Sequence, residues 1–146
     1  MSLIQLVYIS TATQRHDEAA LTKIMASASK KNEPDGLTGM LIYCDGNFMQ
    51  VLEGEPDVVD ATFARISNDL RHKEIIVVSR QPIDERSFGQ WSMGFRAIDL
   101  PELLLWPAYA PFFDGRFSIA SFGAHPSVAL EMLKDFGLSD RAIRLS

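Results

Sequence analysis

"LTGMLIYCDGNFMQVLE", residues 37–53, reads as a strand, a tight turn and a second strand. Asp45-Gly46 is a pair that two-residue hairpin turns favour, because their central residues need positive φ. Apolar and aromatic residues flank it on both sides, as paired strands require. Successive strand side chains point to opposite faces, so Phe48, Gln50 and Leu52 share one face. The middle member of that apolar row is an amide. A buried amide without partners costs about 1–3 kcal/mol, so another group inside the protein must take up its hydrogen bonds.

Outward from the hairpin the pattern alternates. "LIQLVYIS" (3–10) is a first strand with Ile4, Leu6 and Tyr8 on one face. Asp17 is placed to cap a helix whose Ala20, Leu21, Ile24 and Ala28 fall at helical spacing, and which is expected to end before "NEPDG". Beyond the hairpin, Pro56 opens a second helix with Val59, Phe63, Ile66 and Leu70 in one stripe, expected to stop near His72. "EIIVVSRQPI" (74–83) is the fourth strand, and "WSMGFRAI" (91–98) is an edge strand or its approach. The order β-α-β-β-α-β predicts an α+β, ferredoxin-like sandwich with both helices on one sheet face and an added fifth strand. After Asp99 the chain is rich in proline and large apolar groups, and "PSVALEMLKDFGL" (126–138) predicts a short C-terminal helix. That extension is expected to pack on the bare sheet face or on another protomer.

A chain of 146 residues suits one domain, with room for a core and a small cavity. Its net charge of −5 argues against a nucleic-acid backbone as partner. The single cysteine, Cys44, excludes an internal disulfide and a cysteine-rich zinc site, and reads as a small strand residue. No secretory leader is apparent and no apolar run reaches about 18 residues, so a cytoplasmic protein without a membrane partner is expected.

The common catalytic signatures, a phosphate-binding glycine loop, His-Glu-x-x-His, Cys-x-x-Cys and Gly-x-Ser-x-Gly, do not occur. What remains is a set of polar groups that the topology gathers. If the first and third strands are neighbours, Tyr8 meets Gln50 on the helix-covered face, and the two either satisfy each other in the core or serve a ligand. Asn32 at the end of the first helix, with Asp69 and Arg71 at the end of the second, would edge a flat slot walled by Ile24 and Ile66. Each has a plainer reading, Asn32 as a helix cap and Asp69 with Arg71 as a solvated pair. A slot of this kind suits a planar heterocycle carrying carbonyl and imide groups, such as a flavin.

The stretches "LVYIS", Asn32 followed by "GLTGMLIYCDGNFMQVLEGE", "ISNDLRH" and "RSFGQWSMGF" resemble the BLUF family, sensors of blue light using FAD, over about residues 3 to 97. The resemblance implies FAD as cofactor and a blue-light photoreceptor that is not an enzyme. It implies that Tyr8 gives an electron and a proton to the photoexcited flavin and that Gln50 lies between the phenol and the ring. It further implies that Asn32, Asp69 and Arg71 hold the ring edge, and that Ile24 and Ile66 cover its faces. Trp91 and Met93 belong to the fifth strand, where either can approach Gln50, and His72 has a weaker part in flavin binding. Lys31 stands where relatives often carry Asn or His, and is expected near the ribityl or phosphate part of FAD.

The division expected is a photosensory domain over 1–99 and a C-terminal extension over 100–146. Its output would be a light-dependent contact with an effector protein. Self-association is expected through Leu103, Leu104, Leu105, Trp106, Phe112 and Phe113. Two other readings stay open: a cofactor-free ferredoxin-like interaction module, and an acylphosphatase-like hydrolase using Arg15 and His16.

Overall fold

The computed structural model describes residues 2–14, 17–44, 46–107, 109, 126–138 and 143–145. Asp45, Arg15, His16, Phe112 and Phe113 therefore lie outside the described residues. The elements are β1 (Leu3–Ala12), α1 (Glu18–Asp35), β2 (Thr38–Cys44), β3 (Asn47–Gly54), α2 (Pro56–Ser67), β4 (His72–Ile83), β5 (Met93–Ile98), α3 (Leu100–Leu103), α4 (Pro126–Gly137) and β6 (Ile143–Leu145). The sheet runs β4-β1-β3-β2-β5-β6. Its first four strands have the order of a ferredoxin-like sandwich. β5 adds to β2 in parallel, and β6 pairs antiparallel with β5. The fifth strand is thus interior, and the short β6 has no counterpart in the sequence reading.

Both helix ends differ from expectation. Asp17 caps α1 by accepting the Ala20 N–H at 2.7 Å. The helix then runs through "NEP" to Asp35, because Pro34 falls in its last turn, where only one carbonyl loses its partner. Gly36, at φ 70°, closes it, and the Leu37 N–H reaches back to Asn32 O at 3.0 Å. The buried stripe is Leu21, Met25, Ser29 and Asn32, rotated from the expected one. α2 ends at Ser67 and not near His72, since Ser67 Oγ and Asn68 Nδ2 bond the carbonyls of Phe63 and Ala64. Leu70 is consequently outside the helical stripe and 89% exposed. β5 starts at Met93, which leaves Trp91 in the approach to it.

The inner strands of the sheet are buried on both faces, so β1, β2 and β3 are nearly continuous apolar runs, whereas the edge strand β4 is half-buried to exposed throughout. On the helix face Ile4, Leu6, Leu41, Leu52 and Phe95 pack against Leu21, Met25 and Val59. On the far face Val7, Ile9, Met40, Ile42, Met49 and Val51 pack with Met132, Leu133 and Phe136 of α4. Arg96 of β5 lies on that far side, only 6% exposed. Its guanidinium pairs with Glu102 of α3 and stands 5.9 Å from the centre of the Phe136 ring. Leu103 and Trp106 also join this core, while Leu104 and Leu105 are 48% and 79% exposed.

Close strand approach depends on Gly39. A Cβ there would sit 2.1 Å from Val51 O, a backbone atom that cannot step aside. Gly39→Ala is expected to lose about 3 kcal/mol, the upper end for overpacking, measured as the urea midpoint at unchanged slope.

Candidate functional site

Between α1, α2 and the sheet lies a cleft of about 340 Å³. Its floor is the sheet, where Tyr8 and Gln50 stand directly opposite each other in the β1–β3 register. The Tyr8 hydroxyl donates to Gln50 Oε1. Gln50 Nε2 lies 3.4 Å from Met93 Sδ. The amide is thus engaged on both ends, by a phenol on one side and a thioether on the other. Burial, with the Asp69 charge adding to it, pushes the Tyr8 phenol above its ordinary value of 10.0. The proton therefore stays on Tyr8 throughout the neutral range.

The walls come from the helices. Ile24, Ala28 and Lys31 line the cleft from one face of α1, and Thr62, Arg65 and Ile66 line it from α2. Asn32 is buried at its inner end and donates from Nδ2 to the Ser92 carbonyl at 3.1 Å. Ser29 Oγ bonds Ser92 Oγ beside it, so α1 is tied to the residue that precedes Met93. Past the end of α2 the turn carries Asp69 and Arg71, and His72 opens β4, all three lining the cleft. Asp69 Oδ1 accepts both the Arg71 backbone N–H and its Nε–H at 2.9 Å. The Arg71 hydrogen bond holds the Asp69 carboxyl down at about 2, and Asp69 in turn raises Arg71. The pair is partly open to solvent, so its contribution to stability is small; its effect is to fix the guanidinium.

The structure gathers Tyr8, Ile24, Lys31, Asn32, Gln50, Ile66, Asp69, Arg71 and His72 around one cleft. Met93 joins them through Gln50. Trp91 does not: it packs in the far core, against Phe88 and close to Gly137 of α4. Sequence reasoning missed Ser29, Ser92 and Ser10. Ser29 had a signal, one helical turn before Asn32, but Ser92 is reached only through the fold.

The donor set fits a flavin. Asn32, Gln50 and Arg71 offer donors for ring carbonyls, Asp69 is an ionised acceptor for an imide N–H, and the aliphatic side chains of Ile24 and Ile66 suit a planar ring. Among the described residues no group of three His, Cys, Asp or Glu is placed to hold a metal ion. No helix among them is long and apolar enough to cross a membrane.

Comparison with known proteins leads to the same chemistry. The family model "BLUF: Sensors of blue-light using FAD" matches residues 3–94. The photoactivated adenylate cyclase subunit alpha of Euglena gracilis is 40% identical over 87 residues, which is 60% of this chain and 8% of that protein. The subunit beta of Euglena longa is 36% identical over 93 residues, 63% of this chain and 11% of its own. The chain thus spans about a tenth of the length of these curated relatives. Among solved structures, BlsA in its photo-activated state superposes with a TM-score of 0.79 at 26% identity, covering 95% of this chain and 97% of that one. BlrB, a BLUF protein in its dark state, gives 0.65 at 30% identity, covering 89% and 97%. With the ferredoxin-like sandwich, the cleft between its helices and a family match over well more than half its length, the chain belongs to the BLUF family, the blue-light sensors that use FAD.

Proposed function

We propose that light acts on this protein through Tyr8 and Gln50, and that the result is a changed hydrogen-bond network around Gln50. The observation that carries the reading is the position of Gln50, between the Tyr8 hydroxyl and Met93 of β5. Bound FAD supplies light absorption and a strongly oxidising excited state. Tyr8 gives up an electron and its proton and recovers both. Gln50 can exchange donor for acceptor by rotating about its last bond or by tautomerising, at little steric cost. After the exchange it presents a donor where it had none, and its contact with Met93 changes with it. Met93 passes that change to β5, which borders the C-terminal segment on its other face.

In this reading Asn32, Asp69 and Arg71 hold the ring edge, Ile24 and Ile66 its faces, and Lys31 the phosphate side of the cofactor. Residues 1–99 form the photosensory part and 100–146 an extension, of which α4 lies on the far face of the sheet. The reading assigns no catalysis to this chain. Its output is a light-dependent contact with an effector protein. The adenylate cyclase relatives and the Klebsiella pneumoniae BlrP1 neighbour, solved with cyclic diGMP, show sensors of this family within larger signalling proteins. Homo-oligomerisation would use the exposed Leu104 and Leu105, which among the described residues of the expected patch are the ones the chain's own core does not cover.

The test is a light-minus-dark absorption spectrum of the FAD-loaded protein. A reversible red shift of the visible band supports the reading, and an unchanged spectrum under saturating blue light sinks it. Asn32→Ala and Asp69→Ala should each weaken FAD binding about tenfold, since each removes one hydrogen bond to a charged or strongly polar ring-edge group. Fluorescence titration checks this; native affinity in both variants would place the ring edge elsewhere.

A further inference from the structure

His72 joins two parts of the chain that are remote in sequence, and both of its ring nitrogens are used in doing so. Nδ1 lies 2.8 Å from Ser10 Oγ, and Nε2 engages the carbonyl oxygen of Ile66. A carbonyl only accepts, so the neutral imidazole carries its proton on Nε2, and Nδ1 accepts from the Ser10 hydroxyl. Ser10 is fully buried on β1, two residues beyond Tyr8 and on the same face. Ile66 stands in the last turn of α2 and lines the cleft. The imidazole itself packs edge-on against two rings of the cleft floor: its centre is 6.1 Å from that of Tyr8, at 67°, and 6.0 Å from that of Phe48, at 86°.

We propose that His72 is a positioning residue for Tyr8, with Ser10 as its anchor, and not a ligand of the cofactor. The inference rests on the reading of Tyr8 as the electron and proton donor. A nitrogen of His72 could reach a ring-edge group only by giving up Ser10 or Ile66. What the side chain does instead is join β1 to the end of α2 at the lining of the cleft. That fixes the tilt of the Tyr8 ring, already in contact with Phe63 at 5.4 Å between centres, and fixes the separation of Tyr8 from the turn bearing Asp69. Electron and proton donation depend steeply on such geometry, whereas affinity for the ring depends on the edge and wall residues.

The experiment compares His72→Phe, which keeps a ring and loses both hydrogen bonds, with Ser10→Ala, the milder change, and with the double variant, all in the full FAD-loaded chain. Two quantities are read: the dissociation constant for FAD, and the yield of red-shifted product per photon absorbed by bound FAD. The expected result is an FAD affinity within about threefold of native in all three, a yield reduced about fivefold or more in each single variant, and a double variant no worse than the poorer single, as for two residues acting through one contact. An affinity about tenfold weaker in His72→Phe with native yield per bound FAD makes His72 a cofactor ligand and overturns the proposal. Native values for both quantities in Ser10→Ala and His72→Phe overturn it as well. Tyr8→Phe in the same series keeps the two levels apart: a red shift surviving there removes Tyr8 as donor, while its loss there beside native yields in the His72 and Ser10 variants removes only the positioning role.

Discussion

Gln50→Leu keeps bound FAD and loses the red shift. Leucine has a similar volume and matches its row-mates Phe48 and Leu52, so the cleft floor survives the change. What disappears is the amide that exchanges donor for acceptor between the Tyr8 hydroxyl and the ring. The Tyr8 hydroxyl, buried and donating to Gln50 Oε1, is left without an acceptor, and this costs about 1–3 kcal/mol. The variant should therefore melt a few degrees lower yet still load cofactor. Its light-minus-dark spectrum should be flat in the visible band, and the carbonyl stretch of the flavin should not move. A variant that shifts both signals as the native protein does would return Gln50 to the role of a paired core amide.

Tyr8→Phe should have the same optical outcome for a different reason. The ring keeps its packing against Phe63 and His72, so FAD still binds. The phenol is gone, and with it the electron and the proton. Because burial keeps Tyr8 protonated in the dark, its proton is available whenever light arrives, and phenylalanine has none to supply. The unfolding free energy should fall by about 1–3 kcal/mol, since Gln50 Oε1 now lacks its donor. In the double variant, Tyr8→Phe with Gln50→Leu, both unpaired groups vanish together. Its loss of stability should be smaller than the sum of the two single losses, a difference that denaturant titration of all four proteins measures as a coupling energy. A persistent red shift in Tyr8→Phe would remove the phenol from the mechanism.

Much of this was legible in the sequence because strands and turns declare themselves locally. The Asp45-Gly46 turn and the alternation on either side fixed the hairpin, and β-α-β-β-α-β order did the rest. That order placed Tyr8 opposite Gln50 without any contact being known. Helix ends were read less well. Pro34 looked like a stop, yet in the last turn of α1 it removes only one bond, and Leu70 fitted the α2 stripe although Ser67 and Asn68 turn their side chains back to the carbonyls of Phe63 and Ala64 and the helix ends there. The cleft's cofactor came from family resemblance, since spacing alone indicated only a slot. Ser92 and Ser10 stayed hidden because a serine becomes informative only when its partner, Asn32 or His72, is known to lie beside it. Nor did spacing decide between Trp91 and Met93: strand alternation puts two residues that are two apart on the same face, but Trp91 lies before β5 begins and is free of that rule.

The packing of the far face bears on what can be moved from one protein to another. The family match ends at residue 94, which suggests a natural place to cut when borrowing the sensor for a new recipient. The physical seam is elsewhere. A graft ending at residue 99 would carry Arg96 away from Glu102 and Phe136, and would uncover Met40, Ile42, Met49 and Val51 where α4 now lies. The transferable cassette is the sensor together with its extension, and a recipient offered the shorter piece must bring a helix of matching shape and a carboxylate for the stranded guanidinium.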